Sequence, residues 1–178
     1  MKFLVKKYQI IYADPPWSYR DKALAGGRGA SCKYKTQSIE WIRALPVNNI
    51  ADDNCILFLW VTMPKLDECW SVISAWGFKY KTVAFTWVKK NKHSQSWFFG
   101  MGRWTRANAE LCLLATRGKP KRINAGISSV VVSSIRKHSQ KPDEVRERIL
   151  ELCGDVPRIE LFARGEYKGW DVWGDEIE

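Results

Sequence analysis

A carboxylate, two prolines and an indole stand in a row at Asp14-Pro15-Pro16-Trp17. Asp14 can accept a hydrogen bond from an exocyclic amino group. The Pro15 carbonyl, stiffened by the Pro16 ring that follows it, can accept a second. Trp17 can stack on the face of an unstacked base. Side by side, the four make a receptor for an amino group on a planar ring. The same residues are also good turn chemistry, and a tryptophan beside a strand is often core. Taken alone, the tetrad leaves both readings open.

The tetrad follows Gln9-Ile10-Ile11-Tyr12-Ala13, an apolar run that reads as a buried strand. It therefore lies where a strand ends, the edge at which open α/β sheets bind ligands. Cys55 to Val61 is a continuous apolar run, expected of a strand covered on both faces. Pro64 opens a helical pattern through Trp76, and Gly77 is placed to end it. Tyr80 to Val88 alternates as a strand with Val83, Phe85 and Trp87 on one face, and Leu111–Ala115 and Val130–Val132 read as two more. Pro142 to Cys153 is the clearest helix: proline and acidic residues in its first turn, Val145, Ile149 and Leu152 as its buried stripe. Arg158–Phe162 and Trp170–Trp173 close the chain as short strands. Strands alternating with helices imply an α/β fold, a largely parallel sheet with helices on both faces. At 178 residues, one domain spanning 1–178 is expected.

Composition narrows the class of partner. A net charge of +10 with ten tryptophans suits a nucleic acid, whose phosphates and bases can both be contacted. No stretch is long and apolar enough to span a bilayer, and the N-terminus lacks the pattern of a secretory signal. Five scattered cysteines point to reduced thiols in a cytoplasmic protein, and with no CxxC and two histidines no metal site is expected. Lys89, Lys90 and Lys92 through Arg103, Trp104 and Arg106 mix basic and aromatic residues, the composition of a base-and-phosphate contact region. Ala25–Gly29 reads as a mobile surface loop over the tetrad; Arg117–Arg122 is a basic turn, as readily solvated as bound to DNA.

Several ordered segments carry a resemblance. Asp14-Pro15-Pro16-Trp17, Tyr34-Lys35-Thr36, Phe58-Leu59-Trp60-Val61-Thr62, His138-Ser139-Gln140-Lys141-Pro142-Asp143-Glu144, Ile159-Glu160-Leu161-Phe162-Ala163-Arg164 and the closing Gly174-Asp175-Glu176 follow one another over nearly the whole chain. Together they resemble the MT-A70-like family of N6-adenine methyltransferases, which use S-adenosylmethionine. The resemblance implies a single Rossmann-like methyltransferase domain acting on adenine N6. It makes Asp14, Pro15, Pro16 and Trp17 the catalytic tetrad, with Tyr34 approaching the base. It places the cofactor among Asp14, His138, Lys141, Glu160, Leu161, Phe162, Arg164, Asp175 and Glu176. Members of the family often have an upstream strand whose acidic residue also touches the cofactor; it is not among these segments, so Asp175 and Glu176 are expected to carry that binding, and Glu176 stands where better-known members carry an amide. DNA is the expected substrate, flipped out or single-stranded, since appended RNA-binding domains are absent. RNA adenine and a non-catalytic partner role are the alternatives; inactive relatives lose the acidic residue that Asp14 retains here. A homodimer is left open.

Overall fold

The computed structural model describes residues 6–18, 36–102, 104–136, 140–175 and 177. Among them, seven strands are β1 (Tyr8–Ala13), β2 (Ala51–Val61), β3 (Lys79–Lys90), β4 (Ala109–Arg117), β5 (Val130–Ser134), β6 (Arg158–Leu161) and β7 (Asp171–Trp173). They form one sheet in the order β5-β3-β4-β2-β1-β6-β7. Three helices are α1 (Ile39–Ala44), α2 (Leu66–Ala75) and α3 (Glu144–Cys153). β1 runs parallel to β2 and β6, β6 to β7, and β3 to β5. β4 alone is antiparallel, wedged between β2 and β3. The sheet is thus largely parallel.

The period-2 alternation of each strand divides the core into two layers. Ile11 and Ala13 of β1, with Leu57, Leu59 and Val61 of β2, pack on α1 and α2 through Ile42, Cys69, Val72 and Ile73. Ile10 and Tyr12, with Phe58 and Trp60, face the other way onto Val145, Ile149 and Cys153 of α3. Helices cover both faces. Burying each large apolar side chain contributes about 1.5–3 kcal/mol, so the two central strands anchor the whole sheet.

β3 departs from simple alternation. Its register against β4 shifts between Val83 and Phe85. The irregularity turns Val83 toward the layer of α1 and α2, while Phe85 and Trp87 join the layer of α3. Val83, Phe85 and Trp87 therefore do not share one face as the alternation suggested, because one extra residue flips every side chain beyond it.

The cysteines described, Cys55, Cys69, Cys112 and Cys153, are buried and unpaired with one another. Burial pushes the Cys55, Cys69 and Cys153 thiols up to about 12. They are packing residues. No described helix is long and apolar enough to cross a membrane.

Candidate active site

The strand directions converge on one edge. β1 ends into Asp14, β2 into Thr62, β6 into Phe162–Arg164 and β7 into Gly174–Asp175. β3 also ends there with Lys89 and Lys90, and the reversed β4 begins there with Ala109 and Glu110. Between β1 and β6 the chain changes from building the sheet in one direction to building it in the other, the position at which open α/β sheets leave a crevice.

Two turns shape this edge. The Trp17 amide donates to the Pro15 carbonyl at 2.8 Å, and the Gln37 amide donates to the Pro16 carbonyl at 2.8 Å. Phe162 takes a positive φ of 61°, rare for a bulky residue, and wedges its ring near Trp41 and Trp173 at 6.4 and 5.5 Å. Gly174 passes so close that a Cβ there would meet the Ala163 carbonyl oxygen at 2.3 Å. Only glycine lets the end of β7 close against the turn after β6.

At the centre lies a chain of alternating charge. Lys141 Nζ donates to Asp14 Oδ2 at 2.6 Å and lies 3.3 Å from Glu110 Oε2. Lys89 Nζ pairs with Glu110 Oε1. Aromatic faces line both cations: Lys141 is 5.5 Å from the Trp60 ring and Lys89 is 4.8 Å from the Trp87 ring. Lys141 is buried, so its charge persists only because carboxylates compensate it.

Burial opposes the Lys141 ammonium, but Asp14 and then Glu110 outweigh it and hold its pKa above the ordinary lysine value. Burial also opposes the Glu110 carboxylate, and there Lys141 and Lys89 prevail and lower its pKa. Asp14 goes the other way. Burial raises its pKa, Lys141 opposes, and Glu110 adds repulsion, leaving it above the ordinary aspartate value. Glu110 lies against two ammonium groups and Asp14 against one, which accounts for the opposite signs.

The structure brings Asp14, Pro15, Lys141 and Arg164 together; Arg164 is near enough for its charge to favour the Asp14 carboxylate. Asp175 is exposed at the end of β7. Several of the expected residues already have partners within the fold. Trp17 is 3% exposed, and its indole N–H donates to the Trp60 carbonyl at 3.0 Å, so it anchors the loop to β2. Glu160 accepts from Arg146 on both carboxylate oxygens, at 2.7 and 2.8 Å, so its side chain braces the fold. The Leu161 side chain is fully buried core. Lys89 is held inside the charge network by Glu110 and the Trp87 ring. Tyr34, Arg103, His138 and Glu176, and the Ala25–Gly29 loop, lie outside the described residues. Glu110 was not anticipated from the sequence; only the pairing of β4 against β2 and β3 reveals that it faces Lys141.

The β3–β4 connection stands out from the same edge. Isolated bridges join Lys90 to Trp97 and Gly100 to Ala107, extending the hairpin. It carries Trp97, Phe99, Met101 and Trp104 outward, Trp104 at 95% exposure, with Lys92 and Arg106 also exposed. Lys90 donates to Gln95 and packs over the Trp97 ring. The basic turn 117–122 follows the far end of β4, at the opposite edge of the sheet.

The donor set fits an amino-acid-bearing nucleoside. A buried ammonium beside a carboxylate complements a zwitterion, whose carboxylate would face Lys141 and whose ammonium would face Asp14. Thr62 Oγ1, at the end of β2, is buried with no hydrogen-bond partner among the described residues. Asp175 supplies a carboxylate for sugar hydroxyls, as acidic residues at strand ends do in dinucleotide folds. No cluster of three or more metal-ligating side chains occurs among the described residues.

Comparison with known proteins identifies the family. The MT-A70 family model matches residues 8–176. The chain is 36% identical over 190 residues to the Type II methyltransferase M.MunI of Mycoplasma sp, covering 97% of this chain and 78% of that one. It is 30% identical to the N(6)-adenosine-methyltransferase MT-A70-like protein of Drosophila melanogaster, over 97% of this chain and 27% of that protein. It is 28% identical to the human N(6)-adenosine-methyltransferase catalytic subunit METTL3, over 98% of this chain and 29% of that subunit. It thus spans less than a third of these longer relatives. The chain belongs to the MT-A70 family of S-adenosylmethionine-dependent methyltransferases.

Proposed function

We propose that this chain methylates N6 of an adenine in DNA, with Asp14 as the acceptor that positions the amino group. The observation that carries the reading is the Asp14 carboxylate at the end of β1, tied to a buried lysine at the sheet's ligand-binding edge. S-adenosylmethionine supplies an electrophilic methyl group when bound. Lys141, Asp14, Arg164 and Asp175 would hold it.

The amino nitrogen of adenine is a poor nucleophile because its lone pair is delocalised into the ring. Asp14 accepts one N6 hydrogen. The Pro15 carbonyl, which has a second lone pair beyond the one taken by the Trp17 amide, accepts the other. Two acceptors placed out of the ring plane favour a pyramidal nitrogen with its lone pair aimed at the methyl carbon. Orientation of this kind is worth up to about 7–11 kcal/mol. The excess proton on the methylated nitrogen leaves through Asp14 to solvent. A duplex hides N6, so the base must be extruded or already single-stranded, at a cost of a few kcal/mol.

The hairpin supplies the grip. Trp104 offers an exposed stacking face, and Lys90, Lys92 and Arg106 contact phosphates. The identity to a type II methyltransferase over most of both chains supports DNA. The retained Asp14 supports an enzyme over a non-catalytic partner. A cytoplasmic location accords with the buried, unpaired thiols.

The test is to incubate the protein with labelled S-adenosylmethionine and, separately, DNA and RNA, then digest to nucleosides and identify the product by mass. N6-methyldeoxyadenosine from DNA is expected. Label confined to RNA adenosine would replace the substrate assignment, and label in neither would remove the enzymatic reading.

A further inference from the structure

We propose that Glu110 is a positioning residue for methyl transfer, holding Lys141 between two carboxylates so that Asp14 keeps an oxygen open to the target amino group. The inference rests on the reading of Asp14 as the acceptor. It begins from an anomaly in the fold. β4 is the strand that runs against its neighbours, and its first turn of backbone delivers a carboxylate to an edge otherwise built from strand ends.

The contacts divide the charges evenly. Lys141 Nζ engages Asp14 through Oδ2 and Glu110 through Oε2, while Lys89 occupies the other Glu110 oxygen. Two ammonium groups and two carboxylates alternate, and each cation also rests on an indole face. Lys141 is shared, so it does not close over Asp14 alone. Among the described residues Lys141 engages Asp14 through Oδ2, and Oδ1 is the oxygen offered to an amino hydrogen. Without the Glu110 charge, the pull that draws Lys141 away from Asp14 is lost and the ammonium settles more fully on Asp14. The acceptor is then capped by a lysine and made less basic.

The groups facing Asp14 come from several elements. Lys141 precedes α3, Glu110 and Cys112 belong to β4, Arg164 follows β6, and Glu160 lies within β6. Of these, Glu110 raises the Asp14 pKa, whereas Lys141 and Arg164 lower it. Neutralising Glu110 must therefore make Asp14 a weaker base. Neutralising Lys89 unmasks the Glu110 charge and must do the reverse. A residue that only supports the fold would produce neither shift.

The experiment measures kcat, KM and the pH profile of kcat/KM for the wild type, Glu110→Gln, Glu110→Asp, Lys89→Met and Asp14→Asn, using labelled S-adenosylmethionine and an adenine-containing DNA oligonucleotide. Glu110→Gln is expected to lower kcat about 10- to 100-fold, with KM for DNA changed much less. Its acid limb should move to lower pH, since that limb reports the free enzyme's essential base. Glu110→Asp should recover part of kcat, and Lys89→Met should move the limb to higher pH. Wild-type kcat in Glu110→Gln, or lost activity with an unmoved acid limb, overturns the proposal. If Glu110→Gln does not fold by circular dichroism, Lys89→Met decides alone, and an unmoved limb there is equally fatal. Asp14→Asn separates the two levels: if it turns over like wild type, the acceptor assignment itself fails; if it is inactive while Glu110→Gln is normal, only the role of Glu110 falls.

Discussion

Lys141 Nζ lies 2.6 Å from Asp14 Oδ2 although 127 positions separate the two residues. The contact joins the loop after the first strand to the segment leading into α3, so the site closes only when both halves of the sheet are assembled. Replacing Lys141 by methionine leaves Asp14 and Glu110 facing each other without the cation between them. Breaking a buried pair in this way costs about 3–5 kcal/mol. Methyl transfer should be lost, and calorimetric titration should show S-adenosylmethionine binding weakened by about tenfold or more, the loss of one charge-assisted hydrogen bond. Wild-type affinity would separate Lys141 from the cofactor.

The pH dependence follows from the sign of the Asp14 shift. Burial raises its folded-state pKa above the unfolded value, so ionising it disfavours the folded state. The resulting loss of stability is absent below the unfolded pKa and grows as pH rises toward the folded one. Activity runs the opposite way, because the acceptor must be ionised. The acid limb of kcat/KM should lie above the ordinary aspartate value of about 3.9. Asp14→Asn should be inactive at every pH. A wild-type limb at or below that value would contradict the sign.

Arg146 and Glu160 form the strongest brace behind the site. The guanidinium pairs bidentately with Glu160 and lies 3.4 Å from the Tyr167 ring centroid. Arg146→Ala would leave a buried carboxylate unpaired, which costs about 3–5 kcal/mol. Scanning calorimetry should show Tm lowered by roughly 6–20 °C for a chain of this size. An unchanged Tm would return Glu160 to the cofactor.

The exposed hairpin predicts a separation of binding from stability. Trp104→Ala should leave Tm unchanged and weaken single-stranded DNA binding about tenfold, since stacking on one aromatic is worth about 1–3 kcal/mol. Lys92→Ala should lower the salt dependence of log K by about one unit. Trp17→Ala should behave oppositely to Trp104→Ala, because its indole is core. Unaltered DNA affinity in both hairpin variants would remove the hairpin from the interface.

Local pattern made much of the fold legible. The apolar run before Asp14, the glycine after α2 and the acidic first turn of α3 each act within a few residues, so β1, α2 and α3 lie close to where the sequence places them. Gly77 takes a φ of 83°, as the helix-ending role requires. What escaped depends on distant pairing. The reversal of β4 and the irregularity in β3 are set by neighbouring strands, so neither the site of Glu110 nor the face of Val83 could be read in one dimension. The short helix α1 also went unread, although Ser38 caps it by accepting from the Trp41 amide. In the site, Asp14 and Lys141, both singled out from the sequence, meet at one edge. Trp17, Glu160 and Lys89 have chemistry that suits a ligand, and their partners within the fold could not be read from residue type alone.

The most direct test is methyl transfer by Asp14→Ala, measured as label incorporated into adenine of DNA, beside calorimetric binding of S-adenosylmethionine. Abolished transfer, with S-adenosylmethionine still bound but weakened by about tenfold through loss of the Asp14 contact, is the predicted result. Turnover comparable to wild type would contradict the assignment of Asp14 as the group that orients the amino nitrogen.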